Sequence, residues 1–246
     1  MDILYILGKG SLFGNIELRM SLRSISKYGS GIGKVIVAGC PPEWLSDEVV
    51  KIEVEDKFSY KHQNILHCIE KVVDMGLVHG DFLYSSDDHF YIQPVDFDNY
   101  PVYLKGELRN YVNKTDPYYQ YHRSLYDTRL LCQKHNLPTM NYSQHCNTHM
   151  HAEVFKSIRD VIHEAYELPF GVEPTTIVMN AWQTMDDAPI AIHRDDVKIL
   201  SARSQSHILK QIGRGDCFSI ADSALKSNAM KKFLLTEYSI KSLFEK

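Results

Sequence analysis

The sequence predicts an α/β fold in which a mostly parallel central sheet is flanked by helices. Over roughly the first 95 residues, short apolar runs alternate with longer amphipathic segments in the order β-α-β-β-α-β. The apolar runs are rich in Val, Ile and Leu, as expected for strands that are buried on both faces. Glycine and proline separate the segments. The length of 246 residues suits one such domain, with or without a small appendage.

The predicted elements follow from these patterns in chain order. The predicted strands of the first half cover residues 2–7, 34–38, 49–54 and the run that begins at residue 82. The predicted helices cover residues 15–27 and 61–75, with a short helical piece at 43–45. Further elements are a strand at 102–105, a helix at 152–168, a strand at 175–182 and two short helices within 223–244. Residues 107–150 are polar, aromatic and weakly periodic, which predicts a long functional excursion over the mouth of a site. We therefore divide the domain into two halves, residues 1–105 and 106–246.

Bulk composition excludes several classes of protein. The net charge of −4 provides no global basic field that would attract nucleic acid or membrane, although a local basic groove is compatible with it. Five scattered cysteines without a CxxC pair predict reduced thiols and no structural zinc site. No apolar run approaches the ~20 residues that span a bilayer, and the first residues lack a basic signal-peptide region. We expect a cytoplasmic protein without a membrane span.

The most informative motif is a pair of adjacent carboxylates, Asp87 and Asp88, followed by His89. The pair follows the apolar run 82–84 after two serines, so it is expected at the C-terminal end of a strand, where open α/β sheets bind ligands. Two carboxylates there suit Mg²⁺ or Mn²⁺ carrying a phosphorylated substrate. The alternative is an ordinary turn after a strand, a position in which Asp is common.

Two further regions suggest phosphate binding. The glycine-rich loop 8–14 follows the first strand but matches neither the Walker loop nor the Rossmann fingerprint, so it is either a nucleotide contact or a plain turn. Arg19 lies on a basic helix face with Arg23 and Lys27, and we expect only Arg19 to reach a phosphate. Lys61 and Asn64 lie about one helical turn apart and could both face the same site.

Histidines provide candidate bases and metal ligands. His149 and His151 form an HxH pair ahead of a predicted helix, with His145 nearby. His193 is a weaker candidate of the same kind. With twelve histidines in the chain, surface or hydrogen-bonded roles are equally compatible with this pattern.

Taken together and in order, several segments resemble the Stealth-type sugar-phosphate transferases and related bacterial and phage glycosyltransferase-like proteins. The resemblance rests on residues 15–25, 34–37, 42–45, 82–90, His149 with the helix after it, 218–222 and 242–245. The opening block of the Stealth family carries Trp-Val-Asp-Gly-Ser after the first strand. Here Ile-Leu-Gly-Lys-Gly-Ser stands at residues 6–11 without the aspartate, which favours ordinary glycosyl transfer over transfer of a sugar phosphate.

The resemblance implies a GT-A fold, the fold of enzymes that use nucleoside-diphosphate sugars. Residues 1–105 would form the half that binds the nucleotide sugar, and residues 106–246 the acceptor-side half with helices and loops. Asp87 and Asp88 would hold Mn²⁺ or Mg²⁺ across the diphosphate, and His149 would stand on the acceptor side. The remaining residues expected at the nucleotide sugar are Leu7, Gly8, Lys9, Arg19, Lys61 and Asn64.

The leading hypothesis is a metal-dependent glycosyltransferase that moves a sugar from a nucleoside-diphosphate sugar to an acceptor glycan or nucleic-acid base. Asp88 would act through the metal, Arg19 and Lys61 would stabilise the departing nucleotide, and His149 and Asp186 are the candidate bases for the acceptor hydroxyl.

Three alternatives remain open. The first is a Stealth-like sugar-1-phosphate transferase. The second is a metal-dependent phosphoesterase whose two-metal cluster would consist of Asp87, Asp88, His149 and His151. The third is a phage-type enzyme that glycosylates a modified DNA base after flipping it onto aromatic side chains. Its basic and aromatic patch would comprise Lys114, Tyr118, Tyr119, Tyr121, His122 and Arg123.

Overall fold

The computed structural model describes residues 1–9, 13–112 and 120–246. The strands are β1 (Ile3–Leu7), β2 (Gly29–Ser30), β3 (Val35–Gly39), β4 (Val49–Glu53), β5 (Asp81–Ser85), β6 (His89–Tyr91), β7 (Val95–Asp96), β8 (Val102–Leu104), β9 (Gly106–Glu107), β10 (Met140–Asn141), β11 (Thr148–His151), β12 (Ala191–His193), β13 (Lys198–Ile199) and β14 (Cys217–Ile220). The helices are α1 (Ile16–Tyr28), α2 (Lys61–Asp74), α3 (Arg109–Val112), α4 (Gln120–Lys134), α5 (Ala152–Ser157), α6 (Arg159–Glu167), α7 (Pro174–Trp182), α8 (Gln205–Ile212), α9 (Asp222–Leu225) and α10 (Asn228–Glu237).

The central sheet has the strand order β11-β5-β1-β3-β4 within the described chain. Strands β1, β3, β4 and β5 are parallel, and β11 is antiparallel to β5 at one edge. The chain leaves β1 toward β3 on one side and later returns to β5 on the other, so the order reverses at β1. The crevice beyond the carboxyl ends of β1 and β5 is therefore the expected ligand position in a sheet of this type.

Alternation along β1 explains why both faces of the sheet are covered. Leu4 points into a hydrophobic cluster shared with α2, α5, α6 and α7, whereas Ile3 and Tyr5 point into a second cluster shared with α1. The α1 stripe that packs there is Leu18, Leu22 and Ile25. This arrangement confirms the predicted α/β class with a mostly parallel sheet flanked by helices.

A small second sheet, of order β13-β14-β6, adjoins the Asp87–Asp88 turn. Strand β6 begins directly after the two aspartates and pairs antiparallel with β14, with Ser219 opposite His89. This pairing brings Ser219, which is 131 positions after Asp88 in the chain, beside the turn that contains the two carboxylates. Both halves also share the central sheet, since β11 pairs with β5.

The predicted strand at 175–182 is wrong: the segment is helix α7. The β-branched residues Thr175, Thr176 and Ile177 favour a strand by propensity. The Glu173 carboxylate, however, accepts hydrogen bonds from Thr176 N at 2.7 Å and Thr175 Oγ1 at 2.8 Å, and Pro174 occupies the first turn. All nine residues of α7 are buried, so packing and a strong N-cap override the local preference.

Other predicted elements differ in detail. Residues 43–45 form a turn that ends in an isolated bridge from Leu45 to Glu245 instead of a helical piece. The excursion at 107–150 contains α3, α4 and short strands instead of a long loop. The predicted helix at 152–168 is interrupted at Ile158, which separates α5 from α6.

Two observations bear on the setting of the protein. Among the described residues, no helix combines the length and the apolar character needed to cross a lipid bilayer. All five cysteines belong to the described residues and are free thiols.

Candidate functional site

A cavity of about 860 Å³ lies at the C-terminal edge of the central sheet. This volume falls in the range of sites for small molecules and cofactors. Its charged lining side chains are Glu17, Lys61, Asp87, Asp88, Lys198 and Asp222. Its ring-bearing lining side chains are Tyr60, His62, Tyr121, His122, His145 and Phe170. Ring contacts join Tyr60 to Phe170, His62 to Tyr121 and Tyr121 to His122, and we call the ring-bearing set the aromatic wall.

Asp87 and Asp88 form the turn between β5 and β6, at the predicted edge of the sheet. Burial, followed by the neighbouring Asp88 charge, raises the pKa of Asp87 from 3.8 to about 6. Burial also raises the pKa of Asp88, against the lowering effect of Lys198 and Lys61. Two partly buried like charges in contact with a cavity are an arrangement that a bound cation stabilises.

The His89 ring contacts both ends of this turn, at Ser86 and at Asp88. Its Nδ1 accepts a hydrogen bond from Ser86 N at 3.3 Å, and its Nε2 lies 3.9 Å from Asp88 Oδ1. Burial, then the nearby Lys198 charge, lowers the pKa of His89 to about 3, so the ring is neutral. A neutral ring that accepts at Nδ1 carries its proton at Nε2, on the side of Asp88.

The N-terminus of α2 faces the same cavity. Strand β4 ends at the C-terminal edge, and α2 begins there before returning down the sheet to β5. Tyr60 at the N-cap provides no side-chain cap, and the first turn contains no acidic residue. Unsatisfied backbone N–H groups and the positive end of the helix dipole favour a bound anion. Lys61, the first helical residue, adds a full positive charge to this end of the cavity.

Sequence patterns did not identify Lys198, Asp222 or Phe170 as lining residues, and they named His145 only as a neighbour of the His149–His151 pair. Lys198 and Asp222 reach the site only because β14 pairs with β6 and β13 pairs with β14. The Asp222 carboxylate has no hydrogen-bond or ion-pair partner among the described residues, and its charge adds to the raised pKa of both Asp87 and Asp88. No local spacing signals a contact created by tertiary pairing.

His145 is one of three histidines that line the cavity, with His62 and His122. Its backbone N–H donates to Asp196 Oδ2 at 2.7 Å, and its carbonyl oxygen accepts from Cys217 Sγ at 3.7 Å. Burial, then the charges of Lys105 and Lys198, lowers the pKa of His145 far below its usual range. Its neutral ring can therefore donate or accept a hydrogen bond to a ligand.

His149, predicted as a metal ligand and a base, is placed elsewhere. It lies on β11 opposite Leu83, its Nδ1 is 2.9 Å from Asp81 Oδ1, and its Nε2 donates to the Tyr100 carbonyl at 2.8 Å. Asp81 begins β5, whereas Asp87 follows its end, so the two sites are separated by the length of the strand. The structure therefore does not bring the predicted group of Asp87, Asp88 and His149 together.

Arg19 and Asn64 also have other partners. Arg19 lies over the Trp44 ring at 4.4 Å and 3.7 Å from Glu245, because on α1 it is rotated about 200° from the cavity residue Glu17. The Asn64 side chain accepts from Phe58 N at 2.9 Å and donates to Phe58 O at 2.8 Å, which stabilises the loop before α2. Of the predicted phosphate ligands, only Lys61 lines the cavity.

The other predicted site residues lie outside the cavity lining. Leu7 is buried at the end of β1, Gly8 and Lys9 are exposed beside it, and the rest of that loop includes residues 10–12, which are outside the described chain. Asp186 is exposed in the turn after α7.

The other histidines predicted as candidate ligands or bases, His151 and His193, have structural or surface positions. His151 caps α5 by accepting from Val154 N at 3.4 Å, and His193 is exposed on β12.

The residues of the predicted basic and aromatic patch have different positions. Tyr121 and His122 line the cavity, whereas Arg123 forms an ion pair with Asp127 at 3.1 Å. Lys114, Tyr118 and Tyr119 are outside the described residues.

The donor set fits a divalent cation that the substrate helps to hold. In the described part of the chain, no group of three His, Cys, Asp or Glu side chains is arranged around a common metal position. Mg²⁺ and Mn²⁺ sites that carry nucleotides commonly use one or two carboxylates, with water and phosphate oxygens as the other ligands. Asp87 and Asp88 are the two carboxylates that could provide the protein's share of such a site.

Comparisons with known proteins do not assign this chain to a family. No family model matches the sequence, and no curated protein matches it.

Proposed function

We propose that this protein is a metal-dependent glycosyltransferase of GT-A type, which transfers a sugar from a nucleoside-diphosphate sugar to an acceptor hydroxyl. The observation that supports this most directly is the Asp87–Asp88 turn at the carboxyl end of β5, which lies beside the strand where the sheet order reverses and shares a cavity with the cationic start of α2. Carboxylates, a divalent cation and a positive helix end are complementary to a diphosphate. The five free thiols support a cytoplasmic setting, because that compartment keeps cysteines reduced, and nucleotide sugars are available there.

In the proposed reaction, the bond between the anomeric carbon and the diphosphate oxygen breaks, and the acceptor oxygen bonds to that carbon. Bound Mn²⁺ or Mg²⁺ would neutralise charge on the leaving diphosphate. Lys61 and the N-terminus of α2, in the same cavity, stabilise the same charge. The acceptor proton must pass to a base. We assign this role to Asp222, because His149 and Asp186 lie outside the cavity lining, whereas Asp222 is an unpaired carboxylate that lines it.

The phosphoesterase alternative loses two of its four proposed ligands. His149 is bound between Asp81 and Tyr100, and His151 caps α5. Transfer of a sugar 1-phosphate remains the alternative that uses the same cavity, because it needs the same cation and a diphosphate-linked donor.

A thermal-shift titration with nucleoside diphosphates, with and without Mn²⁺, tests the proposal. At a ligand concentration 100 times the Kd, binding adds about 2.7 kcal/mol of stability. For a chain of this size, that corresponds to a rise in Tm of roughly 5–10 °C. We expect the rise with one nucleotide class, only when Mn²⁺ is present, and we expect Asp88→Ala to abolish it.

Asp186→Ala is the matched control, because it removes an exposed aspartate that does not line the cavity. The control should shift like the wild type. A full metal-dependent shift in Asp88→Ala, or no shift with any nucleoside diphosphate in the wild type, would contradict the proposal.

A further inference from the structure

The aromatic wall of the cavity contains a corner formed by Tyr60 and Phe170. Their ring centroids are 4.7 Å apart and their planes meet at 64°. Both side chains are partly exposed and line the cavity. Tyr121 stands nearby on the same wall, with its hydroxyl 3.0 Å from Ser143 Oγ. The corner therefore presents fixed apolar ring surface to whatever enters.

The buried side chain of Gln63 determines the position of Phe170. Its Nε2 donates to the carbonyl oxygens of Tyr166 at 2.8 Å and Leu168 at 3.0 Å. Gly171 has φ +65°, and a Cβ there would lie 2.9 Å from Gln63 Cγ and 3.2 Å from its backbone nitrogen. Residues 166–171 are thus attached to the first turn of α2, which places Phe170 beside Tyr60 before any ligand binds. Such preorganisation lowers the entropic cost of binding.

The corner joins two elements that pack on different parts of the sheet. Phe170 precedes α7, which packs against β11, whereas Tyr60 is the N-cap of α2, which packs against β1 and β3. The described residues of the β1 loop do not line the cavity. Tyr60 is also adjacent in sequence to Lys61, whose charge acts on both Asp87 and Asp88. A donor whose diphosphate sits at Asp87 leaves the corner for the second substrate.

We infer that the Tyr60–Phe170 corner is the acceptor subsite and binds the apolar C–H face of a pyranose ring, an inference that rests on the proposed glycosyl transfer. Rings that meet at 64° cannot sandwich a flat nucleobase between parallel faces, but they can surround one face and one edge of a puckered sugar. Burying C–H surface against aromatic rings is favourable in water.

Polar groups at the edge of the corner suit hydroxyl groups. His62 and Gln120 line the cavity beside the aromatic rings. Burial, then the Lys61 charge, lowers the pKa of His62 to about 4, so at neutral pH its ring is uncharged. A neutral imidazole and an amide can each donate and accept, which is what sugar hydroxyls require.

Saturation-transfer NMR with a panel of methyl pyranosides tests this assignment on the full chain. The probes are the methyl glycosides of glucose, galactose, mannose and N-acetylglucosamine at millimolar concentration. We expect transfer to the ring C–H protons of at least one glycoside. The signal should fall at least fivefold in Phe170→Ala and be retained in Phe170→Tyr, which keeps the ring. Tyr126→Ala, which removes an exposed tyrosine outside the cavity lining, should retain it.

Nucleosides are the competing probes in the same experiment. Signal from nucleosides but not from glycosides, lost in Phe170→Ala, would identify a nucleobase site and overturn the inference. Absence of signal from every glycoside, or an unchanged glycoside signal in a folded Phe170→Ala, would overturn it as well. The circular dichroism melt of each variant establishes that it is folded. The thermal shift with Mn²⁺ and nucleoside diphosphates is measured separately, so loss of donor binding with glycoside binding retained would count against the proposed transfer and not against this subsite.

Discussion

Nδ1 of His149 lies 2.9 Å from the Asp81 carboxylate, which joins the antiparallel edge strand β11 to the start of β5. Nε2 of the same ring donates to the Tyr100 carbonyl at 2.8 Å. Both ring nitrogens are therefore occupied at a buried position, and the ring has no free lone pair for a metal or a substrate proton. His149 acts in the structure as a connection between three segments of the chain.

We predict that His149→Gln destabilises the fold without weakening donor binding. A buried hydrogen bond to a charged partner contributes about 1.5–3 kcal/mol, and glutamine can replace only part of this arrangement. Urea denaturation should show a lower midpoint, whereas the Tm increment produced by Mn²⁺ and nucleoside diphosphate should be unchanged. Unaltered stability together with loss of that increment would return His149 to the functional site.

A second prediction concerns the stability of the metal-free protein as a function of pH. The folded state raises the pKa of Asp87 from 3.8 to about 6, chiefly by burial and then by the Asp88 charge. A carboxyl group with a raised pKa favours the folded state below its unfolded pKa, and this contribution is lost as the pH rises through about 6. A shift of this size corresponds to about 1–3 kcal/mol.

Asp87→Asn should therefore stabilise the metal-free protein at pH 7.5, and its advantage over the wild type should disappear near pH 4. Melting curves at both pH values, without and with Mn²⁺, measure the effect. When Mn²⁺ and nucleotide are added, the wild type should become more stable than Asp87→Asn, because the cation needs the carboxylate. Asp186→Asn is the control for a change of net charge, and an identical pH profile for the two variants would refute the assignment.

Lys61 is predicted to contribute to binding of the diphosphate. Lys61→Gln removes a charge at the start of α2 and should raise the Kd for Mn²⁺-nucleoside diphosphate by about tenfold, since a charge-assisted hydrogen bond contributes roughly 1.5–3 kcal/mol. Lys71→Gln removes an exposed lysine from the last turn of the same helix and provides the matched control. Isothermal titration measures both. Equal losses of affinity would mean that only the net charge of the protein matters.

Asp222 is predicted to act as the base. Asp222→Asn should lower kcat of transfer by about 10²–10⁴, the usual contribution of a positioned base, while the Kd for Mn²⁺-nucleoside diphosphate changes little. The assay is donor consumption with the glycoside identified by NMR as acceptor. If Asp222→Asn weakened metal-dependent nucleotide binding as strongly as Asp88→Ala, Asp222 would be a ligand of the cation instead.

Local patterns predicted the parallel core and one part of the site, for identifiable reasons. Helices α1 and α2 and strands β1, β3, β4 and β5 have strong periodicity or continuous apolar runs, and the structure places them within one or two residues of the predicted bounds. The Asp87–Asp88 turn and Lys61 were found because each belongs to an element end that faces the same edge of the sheet.

The rest of the site depends on contacts between distant segments. Lys198 and Asp222 are ordinary surface residues in sequence, and only the β6–β14 pairing brings them to the aspartates. Phe170 depends on the Gln63 attachment. Helix α7 was mistaken for a strand because its β-branched composition outweighs the cap signal of Glu173 and Pro174 in a local pattern.

Tyr60 and Lys61 are consecutive residues, so one peptide unit, about 3.8 Å between Cα atoms, separates the aromatic corner from the cationic end of α2. This spacing is built into the backbone, so a displacement of the start of α2 moves the aromatic corner and the cationic group together. A change in the loop before α2 should therefore alter the binding of both kinds of ligand at once.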